Sequence, residues 1–213
     1  MKLTRLTTLF TALSVATMFD LASVAKPAAA VNMTGLTEDN TLIRFSSDSP
    51  SSTTSVKVTG AELTGTLIGI DYRPTDGQLY GVANDNNIFT IDPGTGAATR
   101  VSTLDTPFTG GGFSGVDFNP AADRLRVNGT NDQNFRINVD TGATIVDGTL
   151  AYVAGDSNFG TNPTITGAAY TNSFSGPPAT RNNTIAKDVA VWVEKSQPKL
   201  GQIFSALSTN ITA

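Results

Sequence analysis

Gly69-Ile70-Asp71-Tyr72-Arg73-Pro74 returns as Gly115-Val116-Asp117-Phe118-Asn119-Pro120, 46 residues further along the chain. The same shift carries Leu79 to Leu125, Phe89 to Phe135 and Ile91 to Ile137, and lays Thr95-Gly96-Ala97 on Thr141-Gly142-Ala143 without a gap. Run backwards, it sets Gly35 under Gly81, Asp39-Asn40 under Asp85-Asn86, and Leu42-Ile43-Arg44-Phe45 under Ile88-Phe89-Thr90-Ile91. Gly167-Ala168-Ala169-Tyr170 restarts the element 52 residues after Gly115. A fixed period of this size marks a repeat architecture, in which each copy covers the apolar face of its neighbour. The chain reads as a partial copy at 33–62, full copies at about 65–104 and 111–154, and the opening of another at 165–172.

Within a copy the pattern is that of strands. Leu67–Tyr72, Gln78–Val82 and Ile88–Ile91 are short runs rich in Ile, Val, Phe and Tyr, and Ala97–Leu104 supplies a fourth. Between them lie Pro74-Thr75-Asp76-Gly77, Asn84-Asp85-Asn86-Asn87 and Asp92-Pro93-Gly94-Thr95-Gly96. Proline fixes φ there, while glycine and asparagine tolerate positive φ, so these are turns. The predicted fold class is all-β, with propeller-like tandem four-stranded repeats of about 46 residues. A sandwich of tandem hairpins is the other architecture with this pattern. After residue 30 the chain has room for just under four copies, so a propeller is expected to be incomplete.

These motifs, with Asp123-Arg124-Leu125-Arg126-Val127, Gln133–Asn138 and Gly167–Ser173, resemble an uncharacterised family of exported bacterial proteins, domain of unknown function 4394, over about 33–184. The resemblance implies an exported propeller-like fold and carries no activity with it. It also implies a further Leu-Tyr-x-Ile-Asp hairpin after Tyr170-Thr171-Asn172-Ser173. Ile185–Trp192 departs from that, so 185–213 reads as a divergent tail, through replacement of the last blade or a change of frame near 184. Val189–Val193 is expected to add one strand beside Gly167–Tyr170, since that edge would otherwise expose unpaired amides.

The first 30 residues read as a signal peptide. Lys2 and Arg5 precede a mostly apolar run from Leu6 to Val24, and Ala28-Ala29-Ala30 offers a cleavage site. Thr7, Thr8, Thr11, Ser14, Thr17 and Asp20 interrupt the run too often for a membrane span. The expected location is secreted or periplasmic, with residues 31–184 as the β-repeat domain and no membrane span after cleavage. Without residues 1–30, 11 basic residues face 17 acidic ones, a formal −6, so a nucleic-acid partner is not expected. The sequence has no Cys and no His. That excludes disulfides, thiolate and imidazole metal ligands, and His-dependent triads.

Several residue groups carry potential chemistry. Asp71 and Asp117 could pair as acid and base, but repeated aspartates read first as acceptors for turn amides. Asn84–Asn87 and Asn128–Asp132 could offer oxygens to calcium, yet neither has EF-hand spacing and both read as turns. Arg124, Arg126 and Arg136 alternate on strands, as an anion grip or as a charged solvent face. Gly110-Gly111-Gly112 precedes a strand with no following helix and reads as a link between copies. No catalytic, cofactor-binding or metal residue is assigned, and no cofactor. Asn32, Asn128, Asn182 and Asn210 stand in sequons, which matter only in a glycosylating host.

The function expected is a non-catalytic binding or structural module, with self-association through open blade edges. A calcium-dependent propeller hydrolase of the lactonase kind is the alternative, disfavoured because only Glu38, Glu62 and Glu194 follow the leader. A truncated product without a function of its own is the third reading.

Overall fold

The computed structural model describes residues 30–110, 114–170, 173–176, 189–193 and 211–212. Residues 1–29, on which the signal-peptide expectation falls, and most of 177–213 lie outside them. The described elements are all strands, with no helix among them, and no described helix is long and apolar enough to cross a membrane.

Three antiparallel meanders carry the repeat. The first holds β1 (Asn32–Leu36), β2 (Thr41–Ser46) and β3 (Ser49–Lys57). The second holds β4 (Leu67–Tyr72), β5 (Leu79–Ala83), β6 (Asn87–Ile91) and β7 (Ala98–Thr103). The third holds β8 (Ser114–Asn119), β9 (Arg124–Gly129), β10 (Asn134–Ile137) and β11 (Thr144–Val146). β12 (Ala151–Tyr152) pairs with β15 (Ile211–Thr212), and β13 (Ile165–Tyr170) with β14 (Val189–Val193). The last pairing is the one expected for Val189–Val193. By the 46-residue shift, β1, β2 and β3 are the second, third and fourth strands of a unit, so this sheet has no counterpart of β4 among the described residues.

The turns repeat as faithfully as the strands. Asn40, Asn86 and Asp132, spaced by 46, have φ of 59°, 71° and 69°. Asparagine and aspartate are among the few side chains that visit the left-handed region readily, because they bond locally. Gly96 and Gly142 share φ values of 75° and 77° and pack against the Lys57 and Thr103 carbonyls, themselves 46 residues apart. The links between sheets keep the period too. Thr59 N–H donates to the Gly96 carbonyl at 2.9 Å and Asp105 N–H to that of Gly142 at 3.1 Å. Within the first and second sheets the closing rungs repeat as well, Val58 N–H meeting the Asn40 carbonyl at 2.8 Å and Leu104 N–H that of Asn86 at 2.9 Å. One geometric step therefore takes the first sheet to the second and the second to the third.

Strand alternation sends side chains to both faces of each sheet, and both faces of the second sheet meet a neighbour. Leu79, Ala83, Phe89 and Ile91 join Leu42, Val58 and Leu67 in the layer between the first two sheets. Tyr80, Val82 and Ile88 point the other way, into a layer with Phe118, Leu125, Val127, Phe135 and Ile137. This explains why every residue of β5 is buried. Phe89 and Phe135 are 0% and 1% exposed, as their shared position requires. Edge-to-face contacts of Tyr80 on Phe118 at 5.5 Å and Phe108 on Phe135 at 5.6 Å add to area burial.

Two glycine substitutions separate backbone strain from collision. At Gly77 a Cβ meets nothing within 4 Å, and its counterpart Asp123 adopts φ 50°. Gly77→Ala is expected to cost about 1 kcal/mol, the left-handed penalty alone. Gly142→Ala adds a clash with the Thr103 backbone and is expected to cost about 3 kcal/mol or more by urea unfolding. Equal losses at the two sites would contradict the repeated inter-sheet packing.

Candidate functional site

The first strands of successive units lie side by side, β8 running between β4 and β13. Their close approach follows from small residues. A Cβ on Gly69 would strike Val116, and one on Gly115 would strike the Ala168 amide and Gly167. Two residues on from these glycines, on the same face, stand Asp71 and Asp117. Phe118 N–H donates to Asp71 Oδ2 at 2.7 Å, and Tyr170 N–H donates to Asp117 Oδ2 at 2.6 Å. The sequence reading gave these carboxylates a structural role toward turn amides. The role holds, but the donors are strand amides of the next unit. Ala169 takes the aspartate's place in β13, so the series stops at two.

The Phe118 amide that holds Asp71 directly follows Asp117 in β8, which makes the two acids neighbours. Burial, then the negative charge of Asp71, pushes Asp117 up to about 8. Burial raises Asp71 as well, against the pull of its amide bonds.

Arg73, at the end of β4, is 9% exposed and reaches into the third sheet. Its Nε and Nη2 donate to Asp123 at 2.8 and 2.6 Å, and Nη1 and Nη2 to Asp140 at 2.9 and 3.1 Å. The guanidinium also stands 5.8 Å from the Tyr80 ring centre. Hydrogen bonding from Arg73 holds Asp123 below the usual carboxylate range. Arg73 stands inside the repeat but is not marked by it. Its counterpart is Asn119, so no periodicity marked it.

The third sheet departs from the second on the face turned toward β13. Where β5 and β6 place Tyr80, Val82 and Ile88, β9 and β10 place Arg126, Asn128 and Asn134. Asn128 and Asn134 are each 2% exposed. Arg126 Nη1 donates to Asp147 Oδ2 at 2.6 Å and also to Asn134 Oδ1; its Nε donates to the Tyr170 hydroxyl at 3.2 Å. Arg136 holds Asp147 through Nε and Nη2 at 2.7 Å each. Burial works to raise Asp147, but bonds from Arg136 and Arg126 outweigh it and hold the carboxyl low. The expected arginine row is thus divided. Arg126 and Arg136 share one internal carboxylate, and Arg124 donates to the Asp123 carbonyl at 2.8 Å. For Arg126, at 14% side-chain exposure, the charged solvent face is corrected: its place in an inter-sheet face buries it.

The asparagine-rich turns use their own oxygens. Asn84 Oδ1 accepts from Thr66 N–H at 3.0 Å, Asp85 Oδ2 from the Thr64 hydroxyl at 2.8 Å, and Asn86 Oδ1 from Phe108 N–H at 2.7 Å. Asn87 Oδ1 accepts from the Thr103 hydroxyl at 2.6 Å, and Asp132 from Asn162 at 3.0 Å. Among the described residues, no three Asp or Glu side chains converge as a metal site. Asn128 is buried, which removes its sequon from an oligosaccharide in the folded chain; Asn182 and the Asn210 side chain lie outside the description. Gly110 belongs to the link between β7 and β8, its carbonyl accepting from Thr130 N–H at 3.0 Å, while Gly111 and Gly112 are not described.

A family model, Domain of unknown function (DUF4394), matches residues 41–213. The chain belongs to this DUF4394 family. The match takes in 185–213, correcting the expectation that this stretch lies outside the family's span, and it starts at β2 rather than at residue 33. No curated protein matches the chain.

The Arg73 network makes its own prediction. Arg73→Met leaves Asp76, Asp123 and Asp140 without the cation they share and is expected to cost about 3 kcal/mol or more. Arg100→Met, which breaks an exposed pair with Glu62, should cost under about 1 kcal/mol. Chemical unfolding of both variants checks the difference.

Proposed function

We propose that the chain is an exported DUF4394 module whose sheets stack around an axis as propeller blades, and that it works by binding or as a structural element rather than by catalysis. The observation that carries this reading is the use made of the candidate acids. Asp71 and Asp117 each give an oxygen to the amide of the neighbouring first strand, and the turn oxygens are bonded within the fold. The side-by-side first strands and the repeated step between sheets support the propeller arrangement. The charged start, apolar run and Ala28-Ala29-Ala30 support secretion or delivery to a periplasm. A saccharide, an envelope component or a protein fits loops this rich in Ser, Thr and Asn, and the acidic balance disfavours nucleic acid. Among the described residues β2 alone pairs with β1, and exposed Val31 and Met33 at that edge favour self-association.

Two measurements test this. Intact mass of secreted material should show the chain starting near residue 31; retention of Met1–Ala30 contradicts export with cleavage. Millimolar calcium should leave the unfolding temperature unchanged, because a bound ion stabilises by about RT ln(1 + [L]/Kd). A clear rise, with lactone or ester turnover lost in Asp117→Asn, would establish the calcium-dependent hydrolase instead.

A further inference from the structure

The Asp71–Asp117 pair has a capacity that its fastening role does not use. Each carboxyl gives Oδ2 to the next strand's amide, and the amide that Asp71 takes is that of Phe118, the residue after Asp117, so the two buried acids are neighbours where β4 meets β8. Two carboxylates so placed repel unless they share a proton. The cations that face this region from adjoining elements are engaged elsewhere. Arg126, paired across β9 with Asp117, is bonded to Asp147, Asn134 and Tyr170. Arg73 is bonded to Asp123 and Asp140, and Arg124 to backbone carbonyls. Tyr80, opposite Asp71 on β5, donates its hydroxyl to Asp76 at 3.0 Å. β1 contributes no titratable side chain, and β13 only Tyr170, whose hydroxyl meets Arg126.

We propose that Asp71 and Asp117 form a proton-operated fastener between three consecutive units, closed while they share a proton and loosened when both ionise. The fastener joins β4 to β8 and β8 to β13, so its loosening acts on both interfaces of the third sheet. The direction follows from linkage. An unfolded aspartate releases its proton near 3.8, whereas burial keeps Asp117 protonated up to about 8. The stabilisation is whole below about pH 4 and is lost as pH rises through about 8. Asp123 and Asp147, both held low, act in the opposite sense and lose their contribution in acid. Stability should therefore peak on the mildly acidic side of neutrality.

The test is thermal unfolding of the full mature chain from pH 5 to 9, with Asp117→Asn and Asp71→Asn. Asparagine keeps an acceptor for the strand amide and donates to the partner carboxylate without a charge. The wild type is expected to lose about 5 °C or more between pH 5.5 and 9, and Asp117→Asn to lose little. If either variant fails to fold, carboxyl carbon shifts of the wild type decide the matter by NMR. A site titrating far above the others supports the fastener. A wild-type melting temperature flat or rising to pH 9, an unchanged slope in a folded variant, or all aspartates titrating below about 5 overturns it.

Discussion

A buried carboxylate that accepts a backbone amide across the gap between two sheets does something that apolar packing cannot. Apolar faces slide at little cost, because burial is non-directional. An Asp oxygen 2.6–2.7 Å from one amide fixes which residues of the next strand stand opposite. In this protein the bond recurs from Asp71 to Phe118 and from Asp117 to Tyr170, and it sets the register of the first strands. Between the second and third sheets, the core layer toward Phe118, the Gly142 contact with Thr103 and the Asp105–Gly142 backbone link lie in the interface that this register aligns.

The two interfaces flanking the third sheet are stabilised differently. Toward the second sheet the contact is apolar, with Phe118, Leu125 and Phe135 fully buried. Each such side chain contributes about 1.5–3 kcal/mol by removal from water. Toward β13 the same face positions carry Arg126, Asn128 and Asn134, and stability there depends on Arg126 and Arg136 sharing Asp147. Truncating one member of a buried ionic network costs more than the network contributes over an apolar equivalent. This seam is accordingly the more sensitive to charge, and both it and the carboxyl pair meet β13.

Most of the strand and turn pattern was legible because the repeat prints it more than once. Phe89 and Phe135, Gly96 and Gly142, and Asn40 and Asn86 could each be read against a partner at the same shift. A strand for Val189–Val193 was legible from an edge argument rather than from similarity. What escaped the sequence was everything that breaks the period. Arg73 pairs with Asp123 and Asp140 at separations of 50 and 67 residues, and its own counterpart is Asn119. The replacement of Tyr80, Val82 and Ile88 by Arg126, Asn128 and Asn134 looked like ordinary surface variation, since the sequence does not say which face another sheet will cover. The pairing of β12 with Ile211–Thr212 had no signal at all, as two residues carry no periodicity. The full extent of the family match into 185–213 was likewise hidden, because that stretch lacks the motifs by which the repeat is recognised.

Amide hydrogen exchange at Phe118 and Tyr170 tests the carboxylate fastening most directly. Both amides should exchange slowly in the native chain, Phe118 should become fast in Asp71→Ala, and Tyr170 should become fast in Asp117→Ala, while the Phe89 amide stays protected in both. Fast exchange at Phe118 and Tyr170 in the wild type, or protection unchanged when the partner carboxylate is removed, would contradict the account.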